Sequence, residues 1–465
     1  MSRPATLGQL RESGWESVSV KDEVRRNAAA RIAAGRPVVD GVLGYDDTVL
    51  PQLENALLAG HDIVFLGERG QAKTRLIRSL AELLDEWVPV VAGSEINDDP
   101  YRPVSRHARD LVGENGDDTP IEWVHRRSRF GEKLATPDTS IADLIGEVDP
   151  IKVAEGRYLA DELTLHYGLV PRTNRGIFAI NELPDLAERI QVGLLNVLEE
   201  RDIQVRGYKI RLPLDVLLVA SANPEDYTNR GRIITPLKDR FGAQIRTHYP
   251  LDTGTELAIV AQESSVRAVP GVRLDVPEHM RAIVAAISHE ARRSPQVNQR
   301  SGVSVRLSIA NYETLAANAT RRALRLGEAE AVPRVSDLEA ITSSTAGKVE
   351  IEAFEEGRAD ATLERLVKSA VLGVFKERCP TERYREVVAD FDDGTIVHTG
   401  DDVPSHEYVE ALGRLPALRA AVLPLAGTET PAAVASAVEL VLEGLHLSRR
   451  LNKDSVGARA TYRGR

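Results

Sequence analysis

"DIVFLGERGQAKT", residues 62–74, is the segment that best indicates the fold class of this chain. An apolar run ends at Gly67, a short loop containing Gly70 follows, and the helix-like stretch "TRLIRSLAELL" begins at Thr74. A strand that leads through a glycine-containing loop into a helix presents backbone N–H groups to a phosphate. The sequence therefore predicts a phosphate-binding loop over residues 67–74.

The residues of this loop have separate predicted roles. Lys73 is expected to reach the outer phosphates, and the Thr74 hydroxyl is expected to bind magnesium. Ala72 stands where the usual pattern has glycine. We expect Ala72 to keep a negative φ, so that its methyl group is tolerated. The loop is predicted to bind nucleotide as a unit: Gly67, Glu68, Arg69, Gly70, Gln71, Ala72, Lys73 and Thr74.

Short apolar runs recur along the first half of the chain and are separated by helical patterns. Such runs are typical of a parallel sheet that is covered on both faces. The polar stretch 93–140 shows little periodicity and is expected to form surface loops, and strands are expected to stop after Pro250. The predicted strands are "DIVFLG" (62–67), "VPVV" (88–91), "GIFAIN" (176–181), "VLLVASAN" (216–223) and "AQIRTHY" (243–249).

Polar residues follow three of these strands. Glu182 is predicted to polarise the attacking water, while Asn181 stands where nucleotide hydrolases usually carry a first acid and would hydrogen-bond a magnesium-bound water. Asn223 is predicted to hydrogen-bond the terminal phosphate or the water. Arg240, in "PLKDRFG" before the last strand, is predicted to supply charge to a neighbouring subunit's γ-phosphate.

Taken in order, "GERGQAKT", "GIFAINEL", "ASANPED" and "PLKDRFG" resemble the AAA+ ATPases of the magnesium-chelatase/MoxR branch. "YGLVPRTNRGIFAINEL" (167–183) and the alternating hairpin within "ERDIQVRGYKIRLPLDVLLVASANPED" (200–226) resemble the same branch. The resemblance implies an α/β P-loop NTPase core followed by an α-helical lid. It also implies Mg-ATP as cofactor, and a sensor-2 role for Arg306 in "SGVSVRLSI" (301–309).

The same resemblance implies a hexameric ring and a partner protein with a von Willebrand A domain. The resemblance covers roughly residues 36–345, and the succession of strand-like and helix-like patterns leads us to expect four segments along the chain. These segments are an N-terminal helical segment (1–35), the nucleotide-binding α/β core (36–250), the helical lid (251–350) and a mainly helical C-terminal extension (351–465).

Composition narrows the functional classes. The chain has 465 residues and a formal net charge of −11, which disfavours a broad nucleic-acid-binding face because such faces need clustered Lys and Arg. Its single cysteine, Cys379, cannot form an internal disulfide, and this favours a reducing cytoplasm. No signal core or membrane-spanning apolar stretch stands out, so we expect a cytoplasmic protein without a membrane partner.

Several functions remain open. The first is a ring-forming ATPase that remodels a partner protein. The second is a nucleotide-gated scaffold in which Asn181 makes hydrolysis negligible, so that restoring Asp there should raise turnover sharply. The third is the ATPase subunit of a magnesium chelatase. A sigma-factor activator is disfavoured because "GAFTGA" is absent, and a helicase is disfavoured by the acidic charge, although Arg206, Lys209 and Arg211 lie on the predicted hairpin.

Overall fold

The computed structural model describes residues 3–148, 162–199, 202–204, 211–223, 231–298, 302–350, 358–379, 383–392, 394–456 and 459–465. The chain divides into two compact units, Met1–His248 and Tyr249–Arg465. Arg206 and Lys209 of the predicted hairpin lie outside the described residues, as do residues 224–226 of "ASANPED". The finer division into four segments stays a prediction.

The first unit is an α/β structure. Its strands are β1 (Ile63–Leu66), β2 (Trp87–Val91), β3 (Ile121–His125), β4 (Phe130–Leu134), β5 (Gly146–Val148), β6 (Leu165–Tyr167), β7 (Gly176–Asn181), β8 (Asp202–Gln204), β9 (Arg211–Pro213), β10 (Val216–Ala222) and β11 (Ala243–Arg246). Its α-helices span Leu7–Glu12, Val20–Ala33, Val49–Leu58, Lys73–Ser79, Arg106–Asn115, Ile141–Leu144, Leu169–Arg172, Glu188–Glu199 and Thr235–Arg240. Shorter 3-10 turns cover Leu80–Leu83, Gly116–Asp118, Arg126–Arg129, Glu162–Thr164 and Leu183–Asp185.

A five-stranded sheet organises this unit, in the order β11-β1-β10-β7-β4. Every pair of neighbours in it is parallel. Alternate residues of each strand point to opposite faces. Phe65 and Ile177 therefore join one apolar cluster, while Val64 and Phe178 join another. Burial on both faces explains why the central strands are almost continuously apolar.

The carboxyl ends of the strands meet at one edge of the sheet. Leu66 of β1 is in register with Ala222 of β10, and Leu134 of β4 with Asn181 of β7. β1 lies between β11 and β10, two strands that come much later in the chain. The connection from β1 leads towards β4 on one side of it, and the connection from β10 leads to β11 on the other side. Ligands of open α/β sheets bind at such a carboxyl edge. The predicted site residues that follow β1, β7 and β10 are thereby brought together.

Two expectations for residues 88–140 are wrong. β2, the "VPVV" strand, pairs antiparallel with β3 in a separate two-stranded sheet and does not join the parallel sheet. The polar stretch 93–140 is not loop throughout, because it contains β3 and also β4, the edge strand of the parallel sheet. β4 ("FGEKL") is only partly buried. An edge strand can therefore carry charged residues, so it lacks the continuous apolar run from which a buried strand is predicted.

The second unit is mainly helical. Its α-helices span Thr253–Glu263, Glu278–Arg293, Arg306–Leu326, Thr342–Thr345, Arg358–Arg378, Arg383–Ala389, Ser405–Leu412, Pro416–Ala426 and Pro431–Leu447, with a 3-10 helix at Ser336–Ile341. Its strands are β12 (Arg273–Leu274), β13 (Glu330–Ala331), β14 (Ile396–Gly400), β15 (Asn452–Val456) and β16 (Arg459–Arg463). The expectation that strands stop after Pro250 is wrong. β14, β16 and β15 form an antiparallel sheet whose polar sequences gave no apolar run.

The helix Pro431–Leu447 is the most buried helix of the second unit. Thr430 caps it through a hydrogen bond from the Ala433 N–H, and Pro431 is its first residue. The Phe375 ring packs where a side chain at Gly444 would stand. Cys379 is buried after the helix Arg358–Arg378, and burial raises the pKa of its thiol to about 11. This thiol therefore stays protonated at neutral pH and serves packing.

Among the described residues, no single helix is long and apolar enough to cross a membrane. The helices Pro416–Ala426 and Pro431–Leu447 reach that length and composition only as a pair, and the pair is bent by 113°.

Candidate functional site

Lys73 lies at the centre of the carboxyl edge. It is the first residue of the helix Lys73–Ser79, and only 7% of it is exposed. Its ammonium donates to the backbone carbonyls of Gly67 and Glu68 and, over 2.6 Å, to Oδ1 of Asn223. A buried ammonium needs such acceptors to offset its lost hydration. The loop thus holds Lys73 buried at the start of its helix, and its role towards phosphates stays a prediction.

Glutamine and threonine side chains brace the loop from the side of β11. Gln71 Oε1 accepts hydrogen bonds from the Glu68 N–H (3.0 Å) and from the Thr247 hydroxyl (2.7 Å). A Cβ atom at Gly67 would collide with both of these side chains. A larger residue at position 67 would have to displace both side chains. The loop conformation depends on Thr247, a residue that the sequence pattern did not single out.

The Tyr45 hydroxyl is a second anchor of the loop that sequence reasoning missed. It contacts the carbonyl oxygens of Gln71 (2.8 Å) and His248 (2.9 Å). Burial raises the pKa of Tyr45 to about 12, so the phenol remains a donor at neutral pH. Beside the loop, a cleft of about 350 Å³ is lined by Leu66, Gly67, Glu68, Gln71, Lys238, Arg246 and Thr247. This volume lies within the range of small-ligand sites.

Ala72 does not keep the negative φ that we expected. Its φ is +54° and its ψ is 15°, which is the left-handed region. For a residue with a Cβ atom this conformation costs roughly 1–2 kcal/mol. The usual glycine at this position would avoid that cost. The loop therefore accepts alanine at the expense of backbone strain, which is held in place by the contacts of Gln71 and Lys73 on either side.

We expect Ala72→Gly to stabilise the protein by about 0.5–1 kcal/mol, because relief of strain outweighs the greater freedom of glycine in the unfolded chain. Ala29→Gly, at an exposed position inside the helix Val20–Ala33, is the matched control and should destabilise by about 0.5–1 kcal/mol. Urea unfolding of both variants measures the difference. Equal destabilisation by the two substitutions would show that Ala72 is not strained.

Glu182 and Asn223 form the next part of the site. Asn223 Nδ2 donates to Glu182 Oε2 over 2.7 Å, while Asn223 Oδ1 accepts from Lys73. Glu182 also has a left-handed backbone, with φ of +55°. Strained backbone in non-glycine residues is concentrated at functional sites. The structure thus links the predicted phosphate-binding lysine to the predicted water-activating carboxylate through one asparagine.

Asn181 has contacts that the sequence did not predict. Its Nδ2 donates to Glu132 Oε1 over 2.6 Å, and its Oδ1 accepts from the Ser221 hydroxyl over 3.2 Å. Ser221 Oγ also accepts from the Glu182 N–H at 3.2 Å. Glu132 in turn forms an ion pair with Arg78, Nε to Oε2 at 2.8 Å. Glu132 and Ser221 are therefore residues of this site that sequence reasoning missed.

The remaining predicted residues are placed as follows. Thr74 is exposed on the second position of its helix, Arg69 is exposed in the loop, and Glu68 is half-buried. Arg240 ends the helix Thr235–Arg240, is exposed, and contacts Asp239 at 3.1 Å. Arg306 begins the helix Arg306–Leu326 of the second unit and is exposed. The sensor-2 role of Arg306 stays a prediction.

The donor set fits a magnesium ion that arrives with a nucleotide. The edge offers the Thr74 hydroxyl, the Asn181 amide and the carboxylates of Glu132 and Glu182. In the part of the chain that the structure describes, no three His, Cys, Asp or Glu side chains form a ready-made metal cluster. Magnesium in nucleotide enzymes is usually held by one or two carboxylates together with substrate phosphates and water. Such a site needs no third protein carboxylate.

Known proteins are similar in sequence to parts of this chain. The family model of the sigma-54 interaction domain matches residues 155–240. "Magnesium-chelatase subunit ChlI" of Nostoc sp. is 30% identical over 257 residues, which cover 53% of this chain and 64% of that protein. "Magnesium-chelatase 38 kDa subunit" of Rhodobacter capsulatus is 28% identical over 266 residues, which cover 54% of this chain and 68% of that protein.

Among solved structures, a complex between subunits BchI and BchD of magnesium chelatase aligns at 20% identity, with a TM-score of 0.35. The alignment covers 69% of this chain and 97% of the chain matched. The chain spans less than two thirds of the length of the ChlI relative from Nostoc.

Proposed function

We propose that this chain, an AAA+ protein related to subunit I of magnesium chelatase, binds and hydrolyses Mg-ATP at the carboxyl edge of its parallel sheet. One observation carries the proposal. The hydrogen-bonded series Lys73–Asn223–Glu182 connects a phosphate-binding group to a carboxylate placed to activate water. A phosphate-binding lysine and a residue that orients the attacking nucleophile recur in phosphoryl-transfer sites.

The chemistry follows from the contacts of each residue. ATP phosphates would take the place of the loop carbonyls that Lys73 now contacts, because an anion is the better partner for an ammonium group. Glu182 would orient a water molecule and accept its proton, with Asn223 holding the carboxylate by its Nδ2. Thr74 and the carboxylates of Glu132 and Glu182 would hold a magnesium ion. The ion would neutralise charge on the phosphates.

The proposal includes a ring of subunits. Arg240 is exposed, so it could reach a nucleotide bound to a neighbouring copy and stabilise its transition state. A hexamer and a partner with a von Willebrand A domain are supported by the family resemblance. The relatives are named as subunits of a larger enzyme, which also supports a partner. The absence of "GAFTGA" continues to disfavour a sigma-factor activator, and the single cysteine favours a cytoplasmic location.

The experiment that tests shared sites is a subunit-mixing assay of ATP turnover. Arg240→Ala and Lys73→Ala should each lose most turnover, and an arginine finger contributes about 1000-fold or more. Mixing the two variants should restore part of the activity, because an intact Arg240 then meets an intact Lys73. Arg232→Ala, at an exposed arginine paired with Glu188, is the control and should keep wild-type turnover.

Two outcomes would contradict the shared site. One is turnover by Arg240→Ala equal to that of the wild type, and the other is turnover per subunit that does not change with protein concentration. Either result would restrict catalysis to one subunit and leave the Lys73–Asn223–Glu182 series as the whole site.

A nucleotide-gated scaffold is the second candidate. The observation that favours it is Asn181, whose amide brings no negative charge to the position where hydrolases carry an acid. Under this hypothesis the wild type binds ATP in the presence of magnesium without measurable turnover. The role of a magnesium-chelatase subunit is a third candidate, supported by the relatives' names, and assays with a porphyrin acceptor would test it.

A further inference from the structure

Glu132, the middle residue of the edge strand β4, contacts Asn181, which stands at the position where an acid is usual. Its Oε1 accepts from Asn181 Nδ2 at 2.6 Å, and its Oε2 accepts from Arg78 Nε at 2.8 Å. We propose that Glu132 supplies the magnesium-site carboxylate that Asn181 does not carry, with Asn181 serving to position it. The inference rests on the proposed function, since it concerns the metal of the same Mg-ATP site.

The position of Glu132 in the fold supports this role. Arg78 lies four residues after Thr74 on the same helix, so the two side chains share a helix face. Glu132 contacts Arg78 on that side and Asn181, the last residue of β7, on the other. The carboxylate therefore lies between the face of the helix that bears Thr74 and the end of the strand that precedes Glu182.

The contacts of Asn181 explain why it is an amide. Both ends of its side chain are used: the nitrogen donates to Glu132 and the oxygen accepts from Ser221. Asn181 is 7% exposed, so these contacts are shielded from water. An aspartate at position 181 could not donate to Glu132. Two carboxylates at this separation do not both ionise readily.

A purely structural ion pair is the competing explanation for Glu132. Arg78 is an exposed partner, with 64% of its side chain accessible. An exposed pair of this kind contributes little to stability. The Arg78 contact alone therefore gives little reason to place a carboxylate here. The buried amide donor of Asn181 holds one oxygen of Glu132, and the remaining lone pairs of the carboxylate are available to magnesium-bound water.

This arrangement changes the expectation for Asn181→Asp. From the sequence, restoring the acid was expected to raise turnover. With Glu132 in contact, the single substitution places two carboxylates together and should not improve magnesium binding. The exchange variant Glu132→Gln/Asn181→Asp keeps one carboxylate and one amide in contact, with their positions swapped, and should restore binding.

The test is a titration of a fluorescent ATP analogue against the full-length protein, with and without magnesium. Glu132→Gln should weaken binding in magnesium by about 10-fold or more, which is the effect of losing a metal-site carboxylate or its partner. Its affinity for the analogue in EDTA should stay within about twofold of the wild type. The exchange variant should recover to within about threefold of the wild type in magnesium, and Asn181→Asp alone should not exceed the wild type.

Control measurements distinguish loss of the magnesium-site carboxylate from misfolding and from a general effect of removing a charge. Glu122→Gln, at an exposed carboxylate on β3, should bind like the wild type. Thermal unfolding without nucleotide checks that each variant folds, and recovery in the exchange variant excludes misfolding as the cause of a loss. If Glu132→Gln binds the analogue in magnesium as the wild type does, while Lys73→Ala loses binding, the Glu132 inference is overturned and the proposed function stands. If the wild type itself does not bind the analogue, both are overturned.

Discussion

Lys73→Ala is expected to abolish ATP turnover and to weaken ATP binding by about 100-fold, because hydrogen bonds to charged groups contribute about 1.5–3 kcal/mol each. In this structure the Lys73 ammonium is the donor shared by the loop carbonyls of Gly67 and Glu68 and by Asn223. Its loss therefore removes the phosphate contact and also separates the loop from Asn223. Equilibrium binding of ATP and steady-state release of phosphate measure the two effects.

The matched control is Lys368→Ala. Lys368 lies on a helix of the second unit and pairs with Glu364 four residues earlier, so it should leave ATP binding unchanged. Because Lys73→Ala removes hydrogen bonds within the loop, thermal unfolding is measured alongside ATP binding. This measurement separates loss of the binding site from loss of the fold. ATP binding at wild-type affinity by a folded Lys73→Ala protein would place the nucleotide elsewhere.

Glu182→Gln is expected to reduce turnover by about 100-fold to 10,000-fold, the usual contribution of a general base. ATP binding should be retained. Glutamine keeps an oxygen that can accept the hydrogen bond from Asn223 Nδ2, so the series from Lys73 stays connected while the base is lost. A decrease in kcat without an increase in KM is the expected signature, measured by phosphate release over a range of ATP concentrations.

Glu188→Gln controls for loss of a nearby charge. Glu188 begins the helix Glu188–Glu199 and its exposed side chain lies 3.7 Å from Arg232, so turnover should not change. Turnover by Glu182→Gln within threefold of the wild type would exclude Glu182 as the base. Wild-type turnover already as low as that of Glu182→Gln, with tight ATP binding, would instead favour the nucleotide-gated scaffold.

Much of the fold could be predicted from short stretches of sequence. The parallel sheet, the helical second half and the resemblance to magnesium-chelatase AAA+ proteins are confirmed by the strand order and by the relatives. These predictions rest on apolar strands buried on both faces and on a glycine-containing loop, and both features are local. The edge strand β4 was missed because half of an edge strand faces solvent and needs no apolar run.

Local sequence accounts for the strand, loop and helix around Lys73, for the buried strand that ends at Asn181 and for the buried strand that Asn223 follows. Each of these depends on neighbours within a few residues. Which polar groups meet is set by the tertiary structure. Asn223 contacts Lys73 across 150 residues of chain, and Asn181 contacts Glu132 across 49.

Strand order and register set these contacts, and they are products of long-range packing that no local pattern encodes. The left-handed backbone of Ala72 has the same origin. The loop between β1 and the helix Lys73–Ser79 is held by the hydrogen bond between Thr247 and Gln71. This geometry imposes on Ala72 a φ that alanine alone would avoid.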